Sequence, residues 1–155
     1  MKPPALTRSI LTAWLIAGTM DITAACTQYY INTGKGPEGV LRYVASGLIG
    51  KSAGNGGIEI PLLGLLLHYI VALVFTLIFF WLYPRLKFMQ VNKWITGLVY
   101  GMVVWVIMNR LVVPLSAAHT GPFVLKKAAI AMAILMVCIG LPISLVANKH
   151  YLYKK

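Results

Sequence analysis

Apolar residues run through this chain in four blocks, residues 9–31, 61–83, 94–114 and 126–147, each interrupted by few polar positions. A helix rises about 1.5 Å per residue and a bilayer's hydrocarbon core is about 30 Å thick, so each block is long enough to cross as a helix. The pattern predicts an all-α, polytopic membrane protein, a four-transmembrane-helix bundle in which residues 1–155 form a single integral membrane domain. Between the first two blocks, Val40, Leu41, Val44, Leu48 and Ile49 recur at helical spacing beside Arg42 and Lys51. That spacing predicts a short interfacial helix. The stretch that follows, residues 50–57, has too much glycine for a stable helix. It reads as a flexible or re-entrant turn, or more sharply as a lid or filter element, since glycine lets backbone approach a ligand closely.

Composition narrows the class. Hydrophobic residues make up 59% of the chain and charged ones 11%, with a mean hydropathy of +0.81, far from the soluble norm of roughly a quarter charged. The net charge of +11 raises nucleic acid as a partner, but the basic residues stand singly or in pairs at the ends of apolar blocks. There they anchor helices to lipid headgroups, and no basic stripe for nucleic acid exists. Membrane lipids are the partners this distribution implies. An even number of spans puts both termini on one side, together with Arg85, Lys87 and Lys93, and the positive-inside bias makes that side cytoplasmic. The first block is longer than a signal-peptide core and contains an acid, so it reads as a retained span. Cys26 and Cys138 have neither metal spacing nor a disulfide framework around them and read as packing residues.

Asp21 is the only acidic residue well inside an apolar block. A charge in the hydrocarbon interior costs a few kcal/mol on insertion scales, so such a group faces a partner or a wet cavity. Counted along the helices, Asp21 lies roughly 15 Å and His68 roughly 10 Å from the same membrane face, with Asn109 and Arg110 at roughly 6 to 8 Å. Asp21, His68, Asn109 and Arg110 are therefore the candidate ion-binding or proton-relay residues, with Arg42, Glu59 and His119 as outer-loop contributors. Small residues at helical spacing, Ala17 with Ala24, Gly64 with Ala72 and Thr76, and Gly97 with Gly101, mark faces that pack on other helices; Ala133, Gly140 and Ser144 offer a weaker one. Tyr29, Tyr30, Tyr43, Trp81 and Trp94 form an aromatic belt, Pro84, Pro114 and Pro142 mark helix ends or kinks, and the Leu, Ile, Val and Phe runs face lipid.

No catalytic motif appears: there is no nucleophile elbow, phosphate loop or HExxH helix, and no compact metal-ligand spacing. A transmembrane b-type haem needs two histidines at matching depth. His119 falls in the third connection and His150 beyond the last block, so no cofactor is expected, with haem or quinone kept as the alternative.

Four segments together resemble a family of small four-span bacterial inner-membrane proteins known mainly as a domain of unknown function: residues 18–22 (Gly-Thr-Met-Asp-Ile), residues 45–51 with Gly56 and Gly57, residues 64–69 (Gly-Leu-Leu-Leu-His-Tyr) and residues 140–144 (Gly-Leu-Pro-Ile-Ser). The resemblance implies a cytoplasmic-membrane location and draws attention to Asp21 and His68, but implies no activity. Three functions fit. The first is proton- or cation-linked transport or sensing of a small solute through an outward-facing polar pocket, in a homo-oligomer, since four helices rarely enclose a whole pathway. The second is a non-catalytic subunit or assembly factor bound to another membrane protein. The third is a haem-, quinone- or lipid-binding protein with His68 as ligand or acid–base group.

Overall fold

The computed structural model describes residues 5–118 and 124–152; His119 lies outside the described residues. All elements among them are helices or helical turns. We label the helices α1 (Leu6–Thr33), α2 (Glu38–Ile49), α3 (Glu59–Leu82), α4 (Lys93–Leu115) and α5 (Leu125–Leu152). All but α2 are long and apolar enough to cross a membrane. Both described chain ends and the α3–α4 connection lie at one end of the bundle, here the terminal end.

Local chemistry explains the boundaries. Gly34 ends α1 in the left-handed conformation (φ 67°), which turns its N–H back onto the Tyr30 carbonyl at 2.8 Å, a geometry glycine adopts without a Cβ penalty. At the start of α4 the Asn92 side-chain oxygen accepts from the backbone N–H groups of Trp94 and Ile95, satisfying two donors that have no partner inside the helix. Pro142 does not end its helix, which runs on to Leu152, whereas Pro114 stands one residue before the end of α4 at Leu115. Each follows a five-residue π-helical turn, Met108–Val112 and Met136–Gly140. A proline ring cannot accept the ordinary helical arrangement of the carbonyl four residues back, and a wider turn just before it relieves the clash.

α1 packs between α3 and α5, and α4 lies along α5. The α4–α5 contact is backbone to backbone: a Cβ on Gly140 would overlap the Gly97 carbonyl, and one on Gly101 would overlap the Met136 backbone. Small residues permit this approach, which strengthens dispersion where no hydrophobic effect acts between helices in lipid. Gly64 does the same for α2, its missing side chain leaving room for the Leu41 carbonyl. Ala17 and Ala72 are buried, whereas Ala133 is exposed and takes no part in the small-residue face expected of it.

Two other expectations are corrected. Phe75, Phe79 and Phe80 do not face lipid; they are buried in the core with Ala13, Ala17, Ile143 and Ala147. Aromatic contacts explain why: the Tyr100 ring meets Phe79 edge-on and its hydroxyl donates to the Phe75 carbonyl at 2.6 Å, joining α4 to α3. His150 is not beyond the last span. α5 continues to Leu152, and His150 is 1% exposed with Nδ1 3.0 Å from the Ser9 hydroxyl of α1. Around it Asn148 donates to the Tyr83 hydroxyl, Tyr151 donates to the Phe80 carbonyl, and the Tyr83 and Tyr151 rings stack. These polar contacts hold the extra turns of α5 against α1 and α3.

Candidate functional site

All five helices contribute to a chamber of about 300 Å³ away from the terminal end. α1 supplies Asp21, Ala25 and Gln28; α3 supplies His68, Val71 and Phe75; α4 supplies Trp105, Met108 and Asn109; α5 supplies Ile134, Leu135 and Ile139. α2 closes one wall with Val40, Tyr43 and Val44. Its seat depends on Gly64, and the Gly47 carbonyl of α2 accepts from the Ala117 N–H just beyond α4 at 3.0 Å.

The charged centre is Asp21 with His68. His68 Nε2 lies 2.9 Å from the Gly18 carbonyl oxygen, and because a carbonyl only accepts, Nε2 carries a proton and donates. Nδ1 is thereby turned to Asp21 Oδ2, 4.0 Å away. The two side chains are 12% and 16% exposed, and Asp21 accepts no hydrogen bond from the described residues. A carboxylate so desolvated, facing an imidazole lone pair, is strongly disfavoured. One further proton on the pair removes the conflict, as imidazolium beside carboxylate or as imidazole beside carboxylic acid. Tyr69 fixes the frame: its ring packs edge-on against His68 and Trp14, its hydroxyl bonds to Thr19, and its carbonyl accepts from Trp14 Nε1 at 2.7 Å. Gly18 admits that ring, because a Cβ there would lie 2.9 Å from it.

The structure brings Asp21, His68 and Asn109 to one chamber and leaves Arg110, Arg42 and Glu59 elsewhere. Asn109 donates to the Trp105 carbonyl one turn back. Arg110, next to it in the π-helical turn, is exposed and does not line the chamber. Arg42 points to the glycine-rich connection and donates to the carbonyls of Ala53, Gly56 and Gly57, while the Glu59 carboxylate accepts from the Gly57 N–H at 2.6 Å. Those bonds give the connection a defined form: residues Gly50–Gly54 make a 3-10 turn before the chain enters α3.

Four polar or aromatic chamber residues, Gln28, Tyr43, Phe75 and Trp105, stand outside the candidate set that the sequence pattern picks out. Tyr43, which reads as part of an aromatic belt, lines the chamber wall, and so does Phe75 from the Leu, Ile, Val and Phe runs. Gln28 stands seven positions after Asp21, two helical turns, so the 3.6-residue period was a usable signal. Nothing in the local pattern singles out Trp105, whose Nε1 is buried without an acceptor among the described residues. Among the described residues no group of three or more His, Cys, Asp or Glu side chains stands ready for a metal ion. A shallower groove of about 710 Å³ follows the other side of α1, between it and α5, and exposes Thr19, Thr23 and Thr27 beside Cys138.

The fold is thus an all-helical bundle with four helices of membrane-spanning length and apolarity, compatible with a multi-pass membrane protein. Its internal chamber holds one acid–imidazole pair. No family model, curated protein or solved structure matches the chain.

Proposed function

We propose that this chain is a small multi-pass protein of the bacterial cytoplasmic membrane, with both termini in the cytoplasm, that couples a proton to the movement or sensing of a small solute in the Asp21–His68 chamber. One observation carries the reading: a desolvated carboxylate that accepts no hydrogen bond stands 4.0 Å from an imidazole nitrogen at the wall of a solute-sized chamber. Intramembrane ionisable pairs beside cavities mark proton and ion pathways. The resemblance to small four-span inner-membrane proteins supports the location. In this reading α2 lies at the outer interface as a wall of the chamber. A second copy or another membrane protein covers the threonine-lined groove, because polar side chains at the depth of lipid tails favour helix–helix contact.

Infrared spectroscopy of the protein in lipid vesicles, between about pH 4 and pH 10, tests this reading across the ordinary range of the two groups. The expected result is a carboxylic-acid C=O band that changes with pH, shifts in deuterium oxide, and is missing from Asp21→Asn with the helical amide bands unchanged. A wild-type spectrum in which neither a carboxylic-acid band nor the imidazole ring bands change with pH overturns the proposal.

A further inference from the structure

We propose that the chamber takes an organic monocation with an apolar body, an amine or a quaternary ammonium, in exchange for the proton that Asp21 and His68 share; the inference rests on the proton-handling reading above. Charge is the first argument. Among the described residues Asp21 is the only acid lining the chamber and no lysine or arginine lines it. Arg42 and Arg110, which adjoin the chamber residues Tyr43 and Asn109 in sequence, are engaged or directed elsewhere, Arg42 on the carbonyls of Ala53, Gly56 and Gly57, and Arg110 exposed. An anion entering the chamber would meet Asp21 with only His68 to balance it.

The lining decides between kinds of cation. A hard metal ion takes about six or more oxygen ligands, whereas Asp21 has only the amides of Gln28 and Asn109 beside it, among mostly carbon surface. Tyr43, Phe75 and Trp105 line the same chamber as the carboxylate. An acid with aromatic rings is the combination that holds onium groups, since the ring quadrupole attracts a diffuse cation without demanding hydrogen bonds. A volume of about 300 Å³ is the lower end of the range for small-molecule sites, large enough for a single ring bearing an ammonium.

Proton balance follows from the pair. Before binding, His68 donates through Nε2 to Gly18, and the pair carries one more proton, on Nδ1 or on the Asp21 carboxyl. When the cation arrives, the bond holding that proton breaks and the proton leaves to water. His68 stays neutral with its Nε2–H in place, and the Asp21 carboxylate pairs with the ammonium. The site's net charge is the same before and after, which a low-dielectric interior strongly favours. Among the described residues the titratable groups around Asp21 are His68 on α3, Tyr43 on α2 and Cys138 on α5 across the helix; the polar groups that α4 presents to the chamber, Trp105 and Asn109, are neutral.

Calorimetric titration of the full chain in lipid nanodiscs with benzyltrimethylammonium, and separately with its uncharged carbon isostere neopentylbenzene, tests the exchange. Repeating the titration in buffers of different ionisation enthalpy counts the protons. The expected result is release of about one proton per cation bound and, below the pair's midpoint, an affinity about tenfold weaker for each unit of pH lowered. Trp105→Ala is expected to weaken binding roughly 2- to 30-fold, and Asp21→Asn to abolish it. Should Asp21→Asn not fold, the wild-type proton count and pH dependence decide alone. Cation binding that is absent or independent of pH, or equal affinity for neopentylbenzene, overturns the inference. If the infrared carboxylic-acid or imidazole bands titrate but the cation does not bind, this inference falls and the proton-handling reading stands; if neither titrates, both fall.

Discussion

Gly64 of α3 and Leu41 of α2 meet with no side chain between them, so that a single methyl group on Gly64 would occupy the space of the Leu41 carbonyl. That contact seats the wall of the chamber that carries Val40, Tyr43 and Val44. Gly64→Ala is expected to push α2 off α3 and to destabilise the fold by about 1–3 kcal/mol, the usual cost of overpacking. Thiol labelling checks it: in a background with Cys26 and Cys138 replaced by serine, Val44→Cys should react several-fold faster when Gly64 is alanine.

Because His68 Nδ1 and Asp21 Oδ2 face each other at 4.0 Å, their substitutions should not add. Asp21→Asn and His68→Gln, singly and together, are expected to show a coupling of about 0.5–2 kcal/mol in unfolding free energy, the range for residues in one network. Additivity within error in a denaturation series would remove the pair's energetic link.

In liposomes carrying a pH gradient, Asp21→Asn is expected to abolish pH-dependent proton flux while helix content stays at the wild-type level. Flux is read with an entrapped pH dye and helix content by circular dichroism. Equal flux from wild type and variant would remove Asp21 from the pathway.

The terminal end depends on contacts beyond the predicted end of the last span. Ser9→Ala, which removes one buried hydrogen bond to His150, is expected to lower stability by about 1 kcal/mol. Ending the chain after Ala147 should lower it further, because the Asn148–Tyr83 and Tyr151–Phe80 bonds and the Tyr83–Tyr151 stack go as well. Thermal melts of the three proteins in one detergent give the order.

Arg42 donates to three carbonyls of the glycine-rich connection. Arg42→Ala is expected to leave the four long helices intact while amide hydrogen exchange across residues 50–57 speeds up by tenfold or more, since a hydrogen bond to a charged group contributes about 1.5–3 kcal/mol. Mass-spectrometric exchange on peptides covering residues 50–57 reads it directly.

Hydropathy is local and additive along the chain, so the sequence by itself determined the four long helices, the helical connection between the first two, and the overlapping depths of Asp21 and His68. These depend only on segment length, apolar content and the rise of a helix. Packing is not local, and only the tertiary structure decided it. Whether Phe75 and Phe79 face lipid or core depends on how α3 is rotated, and in a membrane helix both environments are apolar, so composition cannot distinguish them. Tyr43 became a chamber residue because Gly64 lets α2 come close, and His150 joined α5 because Ser9, at the other end of the chain, lies opposite it. The π-helical turn before Pro142 likewise lets α5 continue past that proline to Leu152, whereas α4 ends just after Pro114. The orientation of His68 was set by the Gly18 carbonyl, a backbone atom fifty positions away whose availability no side-chain pattern announces.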